Sequence, residues 1–153
     1  HWRPEWNTRL DSLRMNRHQI VILASIIEGE VRYSPDRTYV ASVYTNRLRR
    51  HMRLQADPTV IYALGTRRRL FEKDYLRRSP YNTYLVDGLP PGPISQPSEE
   101  SLRAALYPAQ TDFLFFVAQP DGKHVFSRTL KEHLAAIESV RSAARAPLQP
   151  RSS

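Results

Sequence analysis

The chain has 153 residues, of which 41% are hydrophobic, so it fits one packed domain and is not a disordered polar tail. Its 23 Lys and Arg against 15 Asp and Glu give a net charge of +8, which favours an anionic partner without choosing among nucleic acid, a membrane surface and an acidic polymer. Because cysteine is absent, disulfides, thiolate metal sites and cysteine nucleophiles are excluded. No apolar run reaches the roughly 20 residues that cross a bilayer.

The most apolar stretch of the chain predicts a buried helix. Asn16 can cap its start and Gln19 can complete a capping box, so the helix is expected to run from Arg17 to Glu30. Its apolar residues recur at the helical spacing of i, i+3, i+4 and i+7, as in Ile20, Leu23, Ala24 and Ile27. This segment is the predicted core of the domain.

Later start signals predict further helices over 34–50, 57–64, 98–107 and 129–144. The first two open on Ser-Pro and Asp-Pro, the third on a serine followed by two glutamates, and the last on a Thr-Glu capping box. Residues 66–78 are polar and rich in arginine, which indicates a surface segment with room for a short helix. Prolines recurring over 79–97 exclude regular helix there and predict a long structured loop.

Two apolar runs, 113–118 and 124–127, flank a Gln-Pro-Asp-Gly-Lys turn and predict a β-hairpin. The expected fold class is therefore α+β, a single mixed domain of helices packed with a small antiparallel hairpin. Residues 1–15 are expected to form a lead-in, 16–145 the domain and 146–153 a frayed tail.

The end of the apolar helix carries the most informative chemistry. Glu28 and Glu30 stand two residues apart, so they project about 200° apart around the helix and cannot act as a facing pair. Glu30 lies within about 20° of Leu23 and thus on the rim of the apolar stripe. A desolvated rim raises the pKa of a carboxyl group and suits a general acid, whereas the alternative is two ordinary solvated glutamates at a fraying helix end.

Other kinds of site find little support in the sequence. His124 and His133 lack a metal-ligand spacing, no G-x-S-x-G elbow occurs, and the five glycines form no phosphate-binding loop, so neither a metal nor a cofactor is predicted. The loop over 81–91 combines aromatic, amide and hydroxyl groups, which suits a carbohydrate groove, an ordinary packed loop or a polyproline-type docking segment. The arginine clusters are interpreted as solvated faces that could attract an anionic polymer.

Six sequence blocks, in order, resemble the endolytic murein transglycosylase family, also called YceG-like. They are LASIIEGE (23–30), VASVYTNRLR (40–49), MRLQADPTVIY (52–62), PYNTY (80–84), GLPPGPI (88–94) and HVFSRTLKEH (124–133). The family's Glu-Lys-Glu-Thr pattern places its catalytic glutamate on Glu30, although Gly29 and Val31 depart from the pattern here. The resemblance implies a lytic-transglycosylase-like catalytic helix and agrees with the helical phase in favouring Glu30 over Glu28.

The resemblance also implies a bacterial setting. The substrate would be nascent peptidoglycan at the extracytoplasmic face of the cytoplasmic membrane, cleaved between N-acetylmuramic acid and N-acetylglucosamine. The full-length protein would carry an N-terminal transmembrane helix and a LysM-like domain, both absent from these 153 residues. The resemblance implies penicillin-binding proteins of the wall-synthesis machinery as partners. It does not imply a nucleic acid as a partner.

The implied mechanism uses one carboxylate. Glu30 protonates the glycosidic oxygen and then accepts the proton of the muramic acid 6-hydroxyl, which closes a 1,6-anhydro ring. The candidate substrate-binding residues are Gln55, Asp57, Tyr81, Asn82, Thr83, Tyr84, His124 and Ser127. We expect Glu30 at a cleft walled by the 81–91 loop. The alternatives are a lysozyme-like hydrolase that pairs Glu30 with Asp57, and a noncatalytic wall-binding scaffold.

Overall fold

The computed structural model describes residues 2–145, within which six helices and one two-stranded antiparallel sheet follow each other along the chain. The predicted frayed tail, 146–153, lies outside the described residues. The elements are α1 (Asn7–Leu13), α2 (Arg17–Glu30), α3 (Arg37–Arg49), α4 (Asp57–Leu64), α5 (Glu99–Leu106), β1 (Phe115–Ala118), β2 (His124–Ser127) and α6 (Leu130–Arg145). Single 3₁₀ turns occupy Pro4–Trp6, Ser34–Asp36 and Glu72–Leu76.

Helix α2 is the centre of the core, as its apolar pattern predicts. It begins at the capping box, in which the Asn16 Oδ1 accepts from the Gln19 N–H at 2.8 Å and the Gln19 Oε1 accepts from the Asn16 N–H at 2.9 Å. Helices α3, α4 and α5 pack around it. The fully buried side chains of α2 include Ile20, Leu23, Ile26 and Ile27. Burial of each of these large aliphatic side chains stabilises the fold by about 1.5–3 kcal/mol.

Helices α3 and α4 end close to their predicted boundaries, but α3 begins later than expected. Ser34–Asp36 forms a separate 3₁₀ turn, and α3 starts at Arg37. Asp36 makes no capping hydrogen bond to α3, and its carboxylate is directed to β2 instead. Helix α4 ends at Leu64 and is capped by Gly65, whose φ of +78° is a left-handed conformation that glycine adopts without strain.

The predicted hairpin is present, with Phe115 paired to Ser127 and Ala118 to His124. Helix α6 packs on both strands and contains no fully buried residue. The hairpin also contacts α3, so it joins α6 to the body of the domain and brings the first residue of β2, His124, toward the end of α2.

The stretch predicted as a lead-in contains a helix that the sequence pattern did not predict. Helix α1 follows a 3₁₀ turn, and Trp6 and Leu13 are 2% and 6% exposed within the core. Neither segment has a side-chain cap, and α1 spans only seven residues, so tertiary packing rather than local pattern holds it. The boundary at residue 16 itself stays a prediction.

Among the helices between Trp2 and Arg145, none combines the length and apolarity that crossing a bilayer requires.

Candidate active site

Glu30 is the last residue of α2, and its side chain is only 16% exposed. Its Oε1 lies 3.2 Å from the Nε2 of His124. Burial raises the pKa of Glu30, the hydrogen bond from His124 acts in the opposite direction, and the negative charge of Asp57 adds to the increase. A carboxyl group in this setting keeps its proton to higher pH than an exposed glutamate does, as a general acid requires.

His124 is held between two acidic side chains. Its Nδ1 lies 3.2 Å from the Oδ2 of Asp36, and its backbone N–H donates to the same oxygen at 2.8 Å. Burial by itself lowers the pKa of His124, but the hydrogen bonds and charges of Glu30 and Asp36 outweigh it and raise that pKa. Because Asp36 accepts, Nδ1 is the donor, and a protonated imidazole can donate from Nε2 to Glu30 at the same time.

Asp57 opens α4 and is held by two tyrosines. Tyr84 donates its hydroxyl hydrogen to the Oδ1 of Asp57 at 2.5 Å, and Tyr75 donates to the Oδ2 at 3.3 Å. Burial and the adjacent carboxylate raise the pKa of Tyr75 to about 12 and raise that of Tyr84 further, so both phenols remain donors at neutral pH. The arrangement fixes Asp57 as an acceptor near Glu30.

Two of the predicted substrate-binding residues face inward. Asn82 is fully buried, and its Nδ2 donates to the carbonyl oxygens of Tyr75 and Arg77 at 3.1 and 2.9 Å. Thr83 is also fully buried, and its Oγ1 accepts from the Ala56 N–H at 2.8 Å. Their polar groups are engaged within the protein and hold the loop in place, and contact with sugar stays a prediction for both residues.

Two others are accessible. Gln55 is exposed and has a φ of +49°, a left-handed conformation that is uncommon for a residue with a side chain, and such strain often occurs at functional sites. Tyr81 packs on Tyr62 with ring centroids 4.7 Å apart, and the Tyr62 side chain remains 45% exposed. The pair offers an aromatic surface of the kind on which sugar rings stack.

Ser127 does not join the site. It lies three residues after His124 in β2, so strand alternation turns its side chain to the opposite face of the hairpin. Within residues 2–145 its side chain makes no hydrogen bond to the other candidate residues. That Ser127 supports the chemistry stays a prediction, and its odd spacing from His124 in the strand argues against it.

Only the first half of the 81–91 loop lies at the site, where the sequence predicts the whole loop to form a wall. Tyr84 reaches Asp57, but Pro91 lies at the other end of α2, where its carbonyl oxygen is 3.3 Å from the His18 Nε2. The chain then runs along α2, with the Ile94 N–H donating to the Ser25 Oγ at 3.0 Å. The second half of the loop is thus a packing segment, and the wall beside Asp57 comes from Tyr75, Ile94 and Ser95.

A groove of about 910 Å³ adjoins the acid and is here called the basic groove. It is lined by Gly29, Arg32, Asp57, Pro58, Ile61, Tyr62, Gly65, Thr66, Arg67, Arg68, Arg69, Leu70, Tyr75, Ile94 and Ser95. Gly29 and Arg32 lie on either side of Glu30 in the chain, and Asp57, whose charge acts on Glu30, also lines the groove. A β-carbon at Gly29 would come within 2.8 Å of the Pro58 Cβ, so glycine permits the close approach of α4.

Glu28 projects away from this site, as the helical phase predicts. Its Oε1 accepts from the Ser98 N–H at 2.7 Å and from the Ser101 Oγ at 3.2 Å, which joins α2 to α5. Burial of Glu28 acts to raise its pKa, but the hydrogen bonds from Ser98 and Ser101 outweigh it and lower that pKa. Glu28 is therefore a structural carboxylate.

Sequence reasoning missed Asp36 and Tyr75. Asp36 follows Ser-Pro and reads as an ordinary acidic residue in the first turn of a helix, so its local sequence gives no sign of a partner 88 residues away. Tyr75 lies in an arginine-rich surface segment. Within residues 2–145, no group of three or more His, Asp and Glu side chains is placed to hold a metal ion.

Residues 2–139 match the model of the YceG-like family. The chain belongs to the YceG-like family. The resemblance found in the six sequence blocks is thereby confirmed over nearly the whole described chain.

Relatives of known name support the same family. The chain is 44% identical over 134 residues to the endolytic murein transglycosylase of Bacillus subtilis (strain 168), covering 87% of this chain and 37% of that protein. It is 33% identical over 137 residues to the endolytic murein transglycosylase of Streptococcus pneumoniae (serotype 2, strain D39), covering 85% of this chain and 25% of that protein. The chain thus spans between a quarter and just over a third of these two relatives.

A solved structure confirms the α+β fold class. The 2.6 Å crystal structure of a yceG-like protein from Listeria monocytogenes superposes with a TM-score of 0.80 at 46% identity. The match covers 86% of this chain and 44% of that one. The two proteins therefore share the same fold over most of this chain.

Proposed function

We propose that this YceG-like chain is the catalytic part of an endolytic lytic transglycosylase that cleaves the glycan strands of peptidoglycan. The observation that carries the proposal is Glu30, a largely buried carboxyl group with a raised pKa beside the basic groove. The names of the relatives from Bacillus and Streptococcus support the same class of reaction.

In the proposed reaction Glu30 acts first as an acid and then as a base. The Oε1 is occupied by His124, so the Oε2 carries the proton to the glycosidic oxygen between N-acetylmuramic acid and N-acetylglucosamine. The resulting carboxylate accepts the proton of the muramic acid 6-hydroxyl, whose oxygen bonds to the anomeric carbon of the same sugar. The products are a free N-acetylglucosamine hydroxyl and a 1,6-anhydro end, and attack within one sugar replaces a bimolecular step with water.

The Asp36–His124 pair supports the acid in this scheme. Asp36 stabilises the protonated imidazole, which donates to the Oε1 of Glu30 and orients the carboxyl group toward the groove. When Glu30 releases its proton, the imidazolium stabilises the new negative charge at close range. His124 is thus a positioning residue rather than one that contacts the sugar.

A lysozyme-like hydrolase is the second candidate, because Asp57 places a second carboxylate close enough to raise the pKa of Glu30. In the proposed transglycosylase Asp57 binds and orients the substrate from its tyrosine-held position. Mass spectrometry of the fragments distinguishes the two reactions, since hydrolysis adds one water to each cleaved bond. Products with 1,6-anhydromuramic ends support the proposal, reducing ends support the hydrolase, and binding without fragments supports a scaffold.

The proposed substrate places the reaction at the extracytoplasmic face of the bacterial cytoplasmic membrane, where nascent strands are made. Penicillin-binding proteins that polymerise and cross-link those strands are the proposed partners there. A single-pass anchor in the full-length protein would keep the domain near this substrate.

Replacing Asn82 by Ala is expected to reduce stability more than catalysis. The change leaves the carbonyl oxygens of Tyr75 and Arg77 without their buried donor, at a cost of about 1–3 kcal/mol. Thermal unfolding should therefore shift down by several degrees. If turnover measured well below the new melting temperature falls by more than about 10-fold, Asn82 has a role beyond holding the loop.

Replacing Gln55 by Ala should give the opposite result. Gln55 is exposed and its side chain makes only a 3.5 Å contact with Arg47, so the melting temperature should remain close to that of the wild type. If the amide binds sugar, kcat/KM should fall by a few-fold to about 10-fold, the range expected for one hydrogen bond. An unchanged kcat/KM would remove Gln55 from the substrate site.

A further inference from the structure

The basic groove contains guanidinium groups that the proposed chemistry does not use. Arg32, Arg67 and Arg69 are exposed in its lining and form no ion pair with an acidic residue in the part of the chain from 2 to 145. The carboxylate of Asp57 is the single negative group of the lining, and two tyrosine hydroxyls already donate to it. The groove therefore presents an unbalanced positive charge.

The segment that carries these arginines is joined to the following 3₁₀ turn through Arg68. Arg68 forms two parallel hydrogen bonds of 2.8 Å each to Asp74, whose side chain is 4% exposed. The same carboxylate accepts from the Phe71 N–H at 2.7 Å, and the guanidinium lowers the pKa of Asp74 to about 2. This clamp at Arg68 fixes the backbone between Arg67 and Arg69 and leaves these two side chains exposed.

The same groove contains a surface suited to sugar rings. Tyr62 lies two residues before the end of α4, partly exposed and packed against Tyr81, and Arg67 follows shortly after the helix ends. An aromatic face beside a pair of free arginines suits a polymer in which a neutral sugar backbone carries carboxylates on short branches. Peptidoglycan has this composition, since each muramic acid can bear a peptide stem with free carboxylates.

We propose that Arg67 and Arg69 bind the free carboxylates of the peptide stems, so that the enzyme selects strands that carry uncapped stems over strands whose stems are neutral. This inference rests on the proposed function, because it assumes that the strand lies in the basic groove. It assigns to the groove a specificity that depends on stem charge and is separate from the acid chemistry of Glu30.

The test is a binding measurement with the Glu30→Gln variant, which should hold the strand without cleaving it. The two ligands are short soluble glycan strands with peptide stems, identical except that the stem carboxylates are free in one and converted to methylamides in the other. At low ionic strength we expect the free-carboxylate strands to bind roughly 5- to 10-fold more tightly, in keeping with two exposed ion pairs. The preference should shrink as salt is added.

The matched variants carry two Arg→Gln changes each in the Glu30→Gln background. Arg67→Gln with Arg69→Gln should bring the preference close to 1, whereas Arg49→Gln with Arg50→Gln removes the same charge from exposed positions at the end of α3 and should preserve it. A preference that survives the first pair, or that both pairs reduce equally, overturns the inference. The inference is also overturned if the Arg67→Gln and Arg69→Gln changes weaken binding only to a phosphate-containing wall polymer that is offered as a third ligand.

This experiment separates the two proposals. A stem preference that depends on Arg67 and Arg69 stands even if the wild-type products lack 1,6-anhydro ends, in which case the transglycosylase reaction alone fails. Conversely, 1,6-anhydro products with no stem preference retain the reaction and reject the inference. If neither strand binds at all, both the proposed substrate and the inference are contradicted.

Discussion

The Glu30→Gln variant is expected to lose at least about 100-fold in the rate of strand cleavage while folding normally. Gln has nearly the shape of Glu, so the helix end and the contact with His124 can be retained, but an amide neither donates the proton to the glycosidic oxygen nor accepts one from the 6-hydroxyl. The rate is measured from the release of soluble fragments, and folding from circular dichroism and the melting temperature.

Glu28→Gln is the matched control, since it makes the same change two residues earlier in the same helix. Its amide oxygen can still accept from Ser98 and Ser101, and only the 3.8 Å ion pair with Arg37 is lost. We expect activity near that of the wild type and a small decrease in melting temperature. Near-full activity of Glu30→Gln, or a larger activity loss in Glu28→Gln, would falsify the assignment of the acid.

In the Asp36→Asn variant, the upper pH limit of activity should shift to lower pH. Both Glu30 and His124 must hold a proton at the start of the cycle, so the rate falls as pH rises past the pKa of either group. Asp36 raises the pKa of His124, and without this carboxylate His124 deprotonates at lower pH. The alkaline limb of kcat/KM therefore moves to lower pH, and on that limb activity falls roughly 10- to 100-fold, as for a lost charge-assisted hydrogen bond.

The choice of Asn keeps the structural part of the contact. Its amide oxygen can still accept the His124 backbone N–H that donates to Asp36 at 2.8 Å, so a merely structural role predicts little change. Asp87→Asn serves as the control, because this carboxylate is 84% exposed and pairs with Arg53 outside the groove. If the pH profile of Asp36→Asn overlays that of the wild type, Asp36 does not act through the charge of His124.

Sequence periodicity could predict the central helix because the determinants of α2 are local. The capping box at Asn16, the apolar repeat and the angular offset between Glu28 and Glu30 all lie within one 14-residue element. The structure places the two glutamates against different partners, with Glu30 near β2 and Glu28 near α5. The hairpin was predictable for the same reason, since its turn and flanking strands are adjacent in the chain.

The set of residues that form the site was harder to predict from the sequence than α2, because the contacts of the site join distant segments of the chain. Asp36 sits in a turn whose sequence fits an ordinary helix start, and only the fold brings it to His124. The polar pattern around Asn82 and Thr83 fits a sugar site and a self-bonded loop equally well, and only the fold shows that both side chains are buried. For Ser127 the sequence shows only nearness to His124 along a strand, which does not place the two side chains on one face.

The way α6 and the hairpin attach to the domain has a consequence for how the chain would lose its proposed activity. The core around α2 is built from fully buried aliphatic side chains, whereas α6 has none and packs mainly on the two strands. Such a peripheral unit can open at a lower free energy than the whole domain requires, and amide exchange would show it as a separate cooperative block. Each opening would carry His124 away from Glu30. The population of competent molecules is then governed by this local equilibrium, so activity can vanish on warming while the helical core is still intact.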